Sequence, residues 1–483
     1  MPSSSASRHV IAVDLGAESG RVIQVNFDGS TLTHDEVHRF PNVAVQVGDI
    51  LHWDALRLWH DITTGIKQAA PDAAGIGVDT WGVDFALLDR AGRLIMNPIH
   101  YRDPSILGML DWVTERVPKR AIFERTGIQF MEINTLYRFA SLLRYQFPAL
   151  DIANTLLTIP SLFTYWLSGS MTCEFTHAST SQMFDPRRAN WDTDTLNAVG
   201  LPINILPEVV QPGTKLGEYE GIPVFASASH DTASAVVAVP TTTRNYAYLS
   251  SGTWSLIGLE VDEPVITDKA YEYNLTNEGG YNNTYRLLKN VMGLWLAQQC
   301  RATWAEEGQE YSYGDLVRLA EGAEPFFAFV DPDTPEMLAP GDMPSRIREY
   351  CQRTDQKVPE TPGQIMRVIY ESLAMKYRYS LDALIAVSGR EVDRLHIIGG
   401  GSRNTLLAQM TADAIGRMVI TGPVEGTALG NAIVQLITTG DIGDLNEARA
   451  LLSQTVETAT YEPEDVSVWE TEYERFKALP LVM

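Results

Sequence analysis

Asp231 stands in GIPVFASASHDTASAVVAVP, at the end of an apolar, strand-like run and before a stretch of small residues. A carboxylate placed there suits general-base work, accepting a proton from a hydroxyl as that hydroxyl attacks. Its neighbour His230 has ring nitrogens able to donate to another hydroxyl. A second acid, Asp14, ends the first strand-like run and opens the segment DLGAESGR. Within it Gly16 and Gly20 permit a tight turn with outward backbone N–H groups, Ser19 adds a hydroxyl, and Arg21 adds a charge, which together suit a phosphate. The segment SSGTWS, Ser250 to Ser255, repeats that device, with Thr253 beside Gly252 as a hydrogen-bond donor. Plainer readings stand beside these: Asp231 also fits a helix N-cap, and both glycine turns fit ordinary hairpins. Neither is a Walker loop, because G-x-x-x-x-G-K-[ST] does not occur in the sequence.

Three further segments carry polar groups at suggestive places. In DTWGVDF, Asp79 to Phe85, Gly82 lets backbone approach a polar ligand and Trp81 offers an apolar wall, although a strand bend with a core tryptophan fits equally. In GGGSRN, Gly399 to Asn404, three glycines before a helix leave room for a flat base or a ribose. In LLKNVMGLWLAQQC, Gln298 falls two helical turns beyond Asn290, so a continuous helix would put both on one face, near Lys289. The small residues of EGTALGNA, Glu425 to Ala432, suit either a hinge or close helix packing.

The elements that must position these groups are legible in outline. HVIAVDLGAESGRVIQVNF reads as a hairpin, and AGIGVDTWGVDFALLD as another strand pair around a bend at Gly82. Between about residues 104 and 170 the apolar spacing turns helical, and LTIPSLFTYWLSG ends at Gly169, a C-cap position. GIPVFASASHD returns to strand. The second half reopens with a hairpin, NYAYLSSGTWSLIGLEV, followed by amphipathic helices and by RLHIIGGGSRNTLLAQMTADAIG, a strand, glycine turn and helix. A hairpin with a polar glycine turn in each half implies an internal duplication and two similar α/β lobes with a cleft between them.

Bulk composition narrows the function classes. The chain has 483 residues, enough for more than one domain, with 45% hydrophobic and 20% charged residues. Its net charge of −24 disfavours non-specific binding to nucleic acid or to an anionic membrane. The same charge repels a nucleotide at long range, so any phosphate site must act locally through backbone N–H groups and a divalent cation. Cys173, Cys300 and Cys351 have neither metal-ligand nor disulfide spacing. The start MPSSSASRHVIAVDLG has an apolar run too short for a secretory signal, and no run of about 18 apolar residues occurs, so a cytoplasmic protein is expected. The oligomeric state stays open.

The ordered set DLGAESGR, DTWGVDF, SHDTAS, SSGTWS, GGGSRN and GTALGNA resembles the FGGY family of carbohydrate kinases, within the sugar kinase/actin superfamily, over nearly the whole chain. The resemblance implies an α/β fold of two ribonuclease-H-like, actin-like ATPase lobes, each a mixed five-stranded sheet with helices on both sides, around a central interlobe cleft. It implies a sugar-binding lobe at 1–240, a nucleotide-binding lobe at 241–435, and a segment at 436–483 that packs back on the first lobe. By the same resemblance Asp231 is the catalytic base, and Gly82, His230 and Asp231 meet a ketose. Ala17, Glu18, Ser19, Gly20 and Arg21 match the first phosphate loop. Thr253, Asn290, Gln298 and Gly401 match nucleotide contacts, and Asp14 matches an acid that holds Mg²⁺ through water. ATP and Mg²⁺ are thus the implied cofactors and a ketose the implied partner. The side chain of Glu18 does not fit comfortably in a phosphate loop. A sugar-sensing, actin-like nucleotide-binding protein without transfer activity is the alternative from another class, which the presence of Asp231 disfavours.

Overall fold

A computed structural model describes residues 7–482, so the polar opening MPSSSA lies outside the described residues. Two compact units are interleaved along the chain. Of the described residues, the first comprises those up to 242 with 260–287 and 426–456, and the second comprises 243–259, 288–425 and those from 457 onward.

The first unit is built on a six-stranded sheet in the order Lys215–Tyr219, Ile222–Phe225, Ile76–Thr80, Arg8–Leu15, Ser19–Phe27, Leu32–Pro41. Arg8–Leu15 pairs antiparallel with Ser19–Phe27 and parallel with Ile76–Thr80, which is the expected hairpin followed by a parallel strand. Successive side chains on Arg8–Leu15 point to opposite faces. Ile11, Val13 and Leu15 enter one core with Leu58 and Ile62 of helix Ala55–Gln68, while Val10 and Ala12 enter another with Ala428, Leu429 and Ala432 of helix Gly426–Thr439. Both faces are therefore covered, and the strand reads as a continuous apolar run rather than an alternating one. The sheet has one strand more than expected: Lys215–Tyr219 folds back onto Ile222–Phe225 through Glu220 and Gly221, both at positive φ (51° and 88°), the backbone of a tight hairpin turn.

The bend at Gly82 is a correction to the strand-pair reading. Ile76–Thr80 and Phe85–Leu88 are both strands, but they do not pair; Phe85–Leu88 pairs instead with Thr155–Thr158 in a separate two-stranded sheet. Asp84 explains the divergence. It is fully buried and accepts from Trp53 Nε1 at 2.5 Å and Trp81 Nε1 at 2.9 Å, with Arg138 Nε at 3.1 Å. Helix Ile159–Ser168 ends where expected, with Gly169 in the left-handed region at φ 81°.

The second unit repeats the device. Trp254–Val261 pairs antiparallel with Tyr246–Ser251, which pairs parallel with Arg394–Ile398, then with Met418–Thr421 in parallel and Ala459–Tyr461 antiparallel. The 27-residue helix Pro362–Ser388 begins with a capping box, in which Thr361 and Gln364 satisfy each other's backbone N–H groups. No helix of the described residues is long and apolar enough to cross a membrane.

Candidate active site

Strand Ile222–Phe225 runs into buried residues 226–229, and His230 then bridges Thr80 in parallel register, with Thr80 N donating to Ser229 O at 2.9 Å. His230 caps helix Asp231–Val237, so Asp231 is its first residue. That placement corrects the N-cap reading: the N-cap position belongs to His230, and Asp231 stands one residue inside the helix, after the stretch that follows strand Ile222–Phe225. The Asp231 side chain keeps 32% of its exposure. Its Oδ1 accepts from Thr232 N at 2.5 Å and Thr232 Oγ1 at 3.1 Å, so both bonds fall on one carboxylate oxygen. Gly82 comes to the same place: a Cβ built on it would stand 3.1 Å from His230 Nε2. Gly82, His230 and Asp231 are therefore brought together from segments about 150 positions apart. Trp81 is buried, with its ring centroid 4.2 Å from that of Trp53, and serves the core.

Buried polar groups behind these residues fix them. Glu174 accepts from Ser229 N at 3.0 Å, Ser229 Oγ at 2.6 Å, Thr176 N at 2.8 Å and Thr176 Oγ1 at 2.6 Å. Burial raises its pKa in spite of those four bonds. Thr176 Oγ1 in turn accepts from His230 N at 3.1 Å. His177 lies below, its Nε2 3.1 Å from Trp81 O, and burial followed by the nearby His230 pushes it down to about 3. Glu278 and Arg286 complete the surroundings of His230. None of Glu174, Glu278 and Arg286 was singled out from sequence. Arg286 shows only as a charge beside the apolar run of its strand, and Glu278 stands in the polar stretch NLTNEGGYNN, which carries no such signal.

Asp14 and Arg21 are register partners across the hairpin and form an ion pair, so the guanidinium is engaged at the strand end. Asp14 also stands opposite Asp79 on the parallel neighbour, and burial, then the Asp14 carboxylate, drives Asp79 well above the usual carboxylate range, against a 2.6 Å hydrogen bond from Asn431 Nδ2. The turn itself is short: Gly16 N donates to Ser19 O at 3.0 Å, and Asn42 Nδ2 donates to Gly16 O at 2.8 Å. Ala17 and Ser19 are half-buried, and the Glu18 side chain is exposed, which removes the difficulty of a carboxylate inside the loop. Gly20 lies in the second strand beneath Phe40, where a Cβ would stand 2.2 Å from the ring. No group of three or more His, Cys, Asp or Glu among the described residues could hold a metal by itself. Mg²⁺ does not need one, since it keeps most of its water and uses one or two carboxylates with substrate phosphates. Asp14, a buried carboxylate beside the turn, fits that manner of binding.

In the second unit Thr253 forms a small knot. Its carbonyl accepts from Gly293 N at 3.1 Å and Trp295 N at 3.2 Å, and its hydroxyl accepts from Gln298 Nε2 at 3.2 Å. Thr253 and Gln298 are thus neighbours. Asn290 differs from expectation: it lies on strand Tyr285–Met292, and only Gln298 is on helix Trp295–Glu306, so the two do not share a helix face. The turn through Gly293 separates strand from helix, and a short apolar run such as NVMGLWL has no period that would reveal it. Lys289 on the same strand is buried, which lowers it to about 8. Gly401 is pressed on Ser251, whose Oγ would lie 2.0 Å from an added Cβ, while Gly400 beside it faces open space.

Comparison with known proteins agrees with this architecture. Residues 9–238 match the N-terminal domain, and residues 247–439 the C-terminal domain, of the FGGY family of carbohydrate kinases. A rhamnulokinase of Bacteroides thetaiotaomicron is 44% identical over 483 residues, covering 97% of this chain and 99% of that protein. A rhamnulokinase of Pectobacterium atrosepticum is 40% identical over 486 residues, covering 98% and 97%. A ligand-bound xylulose kinase from Lactobacillus acidophilus shares the fold with a TM-score of 0.79 at 16% identity, over 97% of both chains. Plasmodium falciparum glycerol kinase with ADP does so with a TM-score of 0.77 at 16% identity, over 99% of both. The α/β fold is that of the two-lobed, actin-like ATPases, and the chain belongs to the FGGY family of carbohydrate kinases.

Proposed function

We propose that this carbohydrate kinase is a rhamnulokinase, which transfers the γ-phosphoryl group of ATP to the 1-hydroxyl of L-rhamnulose and yields L-rhamnulose 1-phosphate and ADP. The observation that carries the assignment is near-full-length identity of 44% to a rhamnulokinase. Beside it stands a partly exposed Asp231, whose Oδ1 lies 3.4 Å from His230 Nε2, the ring nitrogen that Gly82 faces.

Asp231 accepts the proton of the attacking 1-hydroxyl on the carboxylate oxygen that Thr232 does not occupy. His230 Nε2 and the backbone at Gly82 orient the ketose, and the hydrogen bonds that Ser229 and His230 donate to Glu174 and Thr176 keep this segment from shifting as charge moves. Ordering the acceptor hydroxyl against a fixed base is the larger part of what a phosphoryl-transfer enzyme contributes, since little covalent chemistry falls to the protein. In the first unit the turn at Ala17, Glu18 and Ser19, ahead of the paired strand residues Gly20 and Arg21, is assigned to phosphate oxygens; in the second unit Thr253, Asn290, Gln298 and Gly401 are assigned to the nucleotide. Asp14 is the carboxylate that would hold Mg²⁺, which would supply neutralisation of phosphate charge when bound with ATP.

The test is ADP release with a panel of ketoses. L-rhamnulose is expected to support turnover with a kcat/KM at least about tenfold above those of L-fuculose and L-xylulose, a discrimination worth about 1.4 kcal/mol. Equal use of all three overturns the substrate assignment, and release without any sugar overturns the kinase assignment.

A further inference from the structure

We propose that Arg286, together with Glu278, is a positioning pair that fixes the tautomer of His230 and so aims one hydrogen-bond donor at the acceptor sugar. The proposal rests on the kinase reading above, and it names two residues that reading does not use.

Arg286 is fully buried. Its Nε donates to Gly279 O at 2.9 Å, and Gly279 N donates to Ser179 Oγ at 2.7 Å, so the guanidinium is tied to backbone that is itself tied to helix Phe175–Thr180. Its Nη2 lies 3.1 Å from His230 Nδ1 and 3.1 Å from Glu278 Oε2. A guanidinium has donors and no acceptor. With Nη2 donating along this shorter contact, Nδ1 offers the lone pair and the imidazole proton stands on Nε2. Glu278 Oε2, 3.3 Å from the same Nδ1, shares the guanidinium and supplies the charge that allows an arginine to be buried there.

The other ring nitrogen then has a defined task. His230 Nε2 lies 3.4 Å from Asp231 Oδ1 and faces the gap left by the missing side chain of Gly82. An Nε2–H there donates, either to Asp231 or to a sugar hydroxyl that enters the gap. The opposite tautomer would present a lone pair to a carboxylate, which repels it and offers a sugar hydroxyl no donor. The second nitrogen of an imidazole is set by the bond the first one makes.

The test uses the full chain labelled with ¹⁵N-histidine, read by long-range ¹H–¹⁵N correlation near neutral pH. His230 is assigned by the signal lost in His230→Gln. The wild-type protein is expected to show His230 as the Nε2–H tautomer. In Arg286→Met only the Glu278 carboxylate remains at Nδ1, so the proton is expected to move to Nδ1. The ketose KM should then rise about tenfold while the ATP KM stays within about twofold, the signature of one lost ground-state hydrogen bond. Arg286→Lys keeps a donor and should restore the tautomer and most of the ketose KM. A wild-type His230 that carries its proton on Nδ1, or on both nitrogens, overturns the proposal even if Arg286→Met fails to fold. An unchanged tautomer and ketose KM in a folded Arg286→Met overturn it as well. Failure of the kinase reading looks different: no ketose would promote ADP release from the wild type, and the tautomer would still be read.

Discussion

Three aspartates gather at the strand ends of the first unit, and their surroundings set them apart. Asp79 is fully buried, and burial and the Asp14 charge favour its neutral form. Asp14 is ion-paired with Arg21. Asp231 keeps 32% exposure and one carboxylate oxygen beyond the reach of Thr232. Of the three, it alone keeps a partly exposed side chain, which suits the proposed base. Asp231→Asn is therefore expected to fold and bind both substrates while kcat falls by about 10²–10⁴-fold, as measured by coupled ADP release. Near-normal turnover would remove Asp231 from the mechanism. Acid stability is a second prediction at this scale. His177 and His100 both fall to about 3 in the folded chain, chiefly through burial, against an ordinary value of 6.5. Between these values the unfolded chain binds more protons than the folded one, so stability falls as pH drops from about 6.5 towards 3, by up to about 1.4 kcal/mol per pH unit for each group. Urea midpoints measured from pH 7 to pH 4 should decline, and less steeply in His177→Gln.

At the scale of elements, helix Gly426–Thr439 packs directly against the helix that Asp231 begins. Its small residues were readable as hinge or as close packing, and the packing within the first unit is tight: a Cβ on Gly430 would stand 1.7 Å from Ser234 O on the helix that Asp231 begins. Gln435 Nε2 from the same helix donates to Ile11 O at 3.1 Å, tying it to the central strand. Gly430→Ala must push the Asp231 helix away, and overpacking against backbone of this kind costs about 1–3 kcal/mol. A lower urea midpoint together with a reduced kcat is the expected result, and an unchanged pair of values would mean the helices part freely. Elements with a strong period or clear punctuation, such as Arg8–Leu15 and the capped end at Gly169, were legible in the sequence. Asn290 and Gln298 were not, because a strand, a glycine turn and a helix follow one another within a few apolar residues.

For the whole molecule, a net charge of −24 opposes the approach of an anionic nucleotide. Raising ionic strength from about 0.01 M to about 0.15 M shortens the screening length from roughly 30 Å to roughly 8 Å. The association rate of MgATP, followed by stopped flow, should accordingly increase over that range, whereas a net attractive local field would make it decrease. The sequence by itself determined the two hairpins, the polar turns at Asp14 to Arg21 and at Thr253, and the strand-to-helix step at Asp231, because each is written in local periodicity and in the turn chemistry of glycine. Only the tertiary structure decided that residues 260–287 and 426–456 join the first unit. Only it brought Glu278 and Arg286 behind His230, and turned Phe85–Leu88 away towards Thr155–Thr158. Those outcomes depend on which buried charges find partners across long sequence separations, and a linear string of residues carries no record of that pairing.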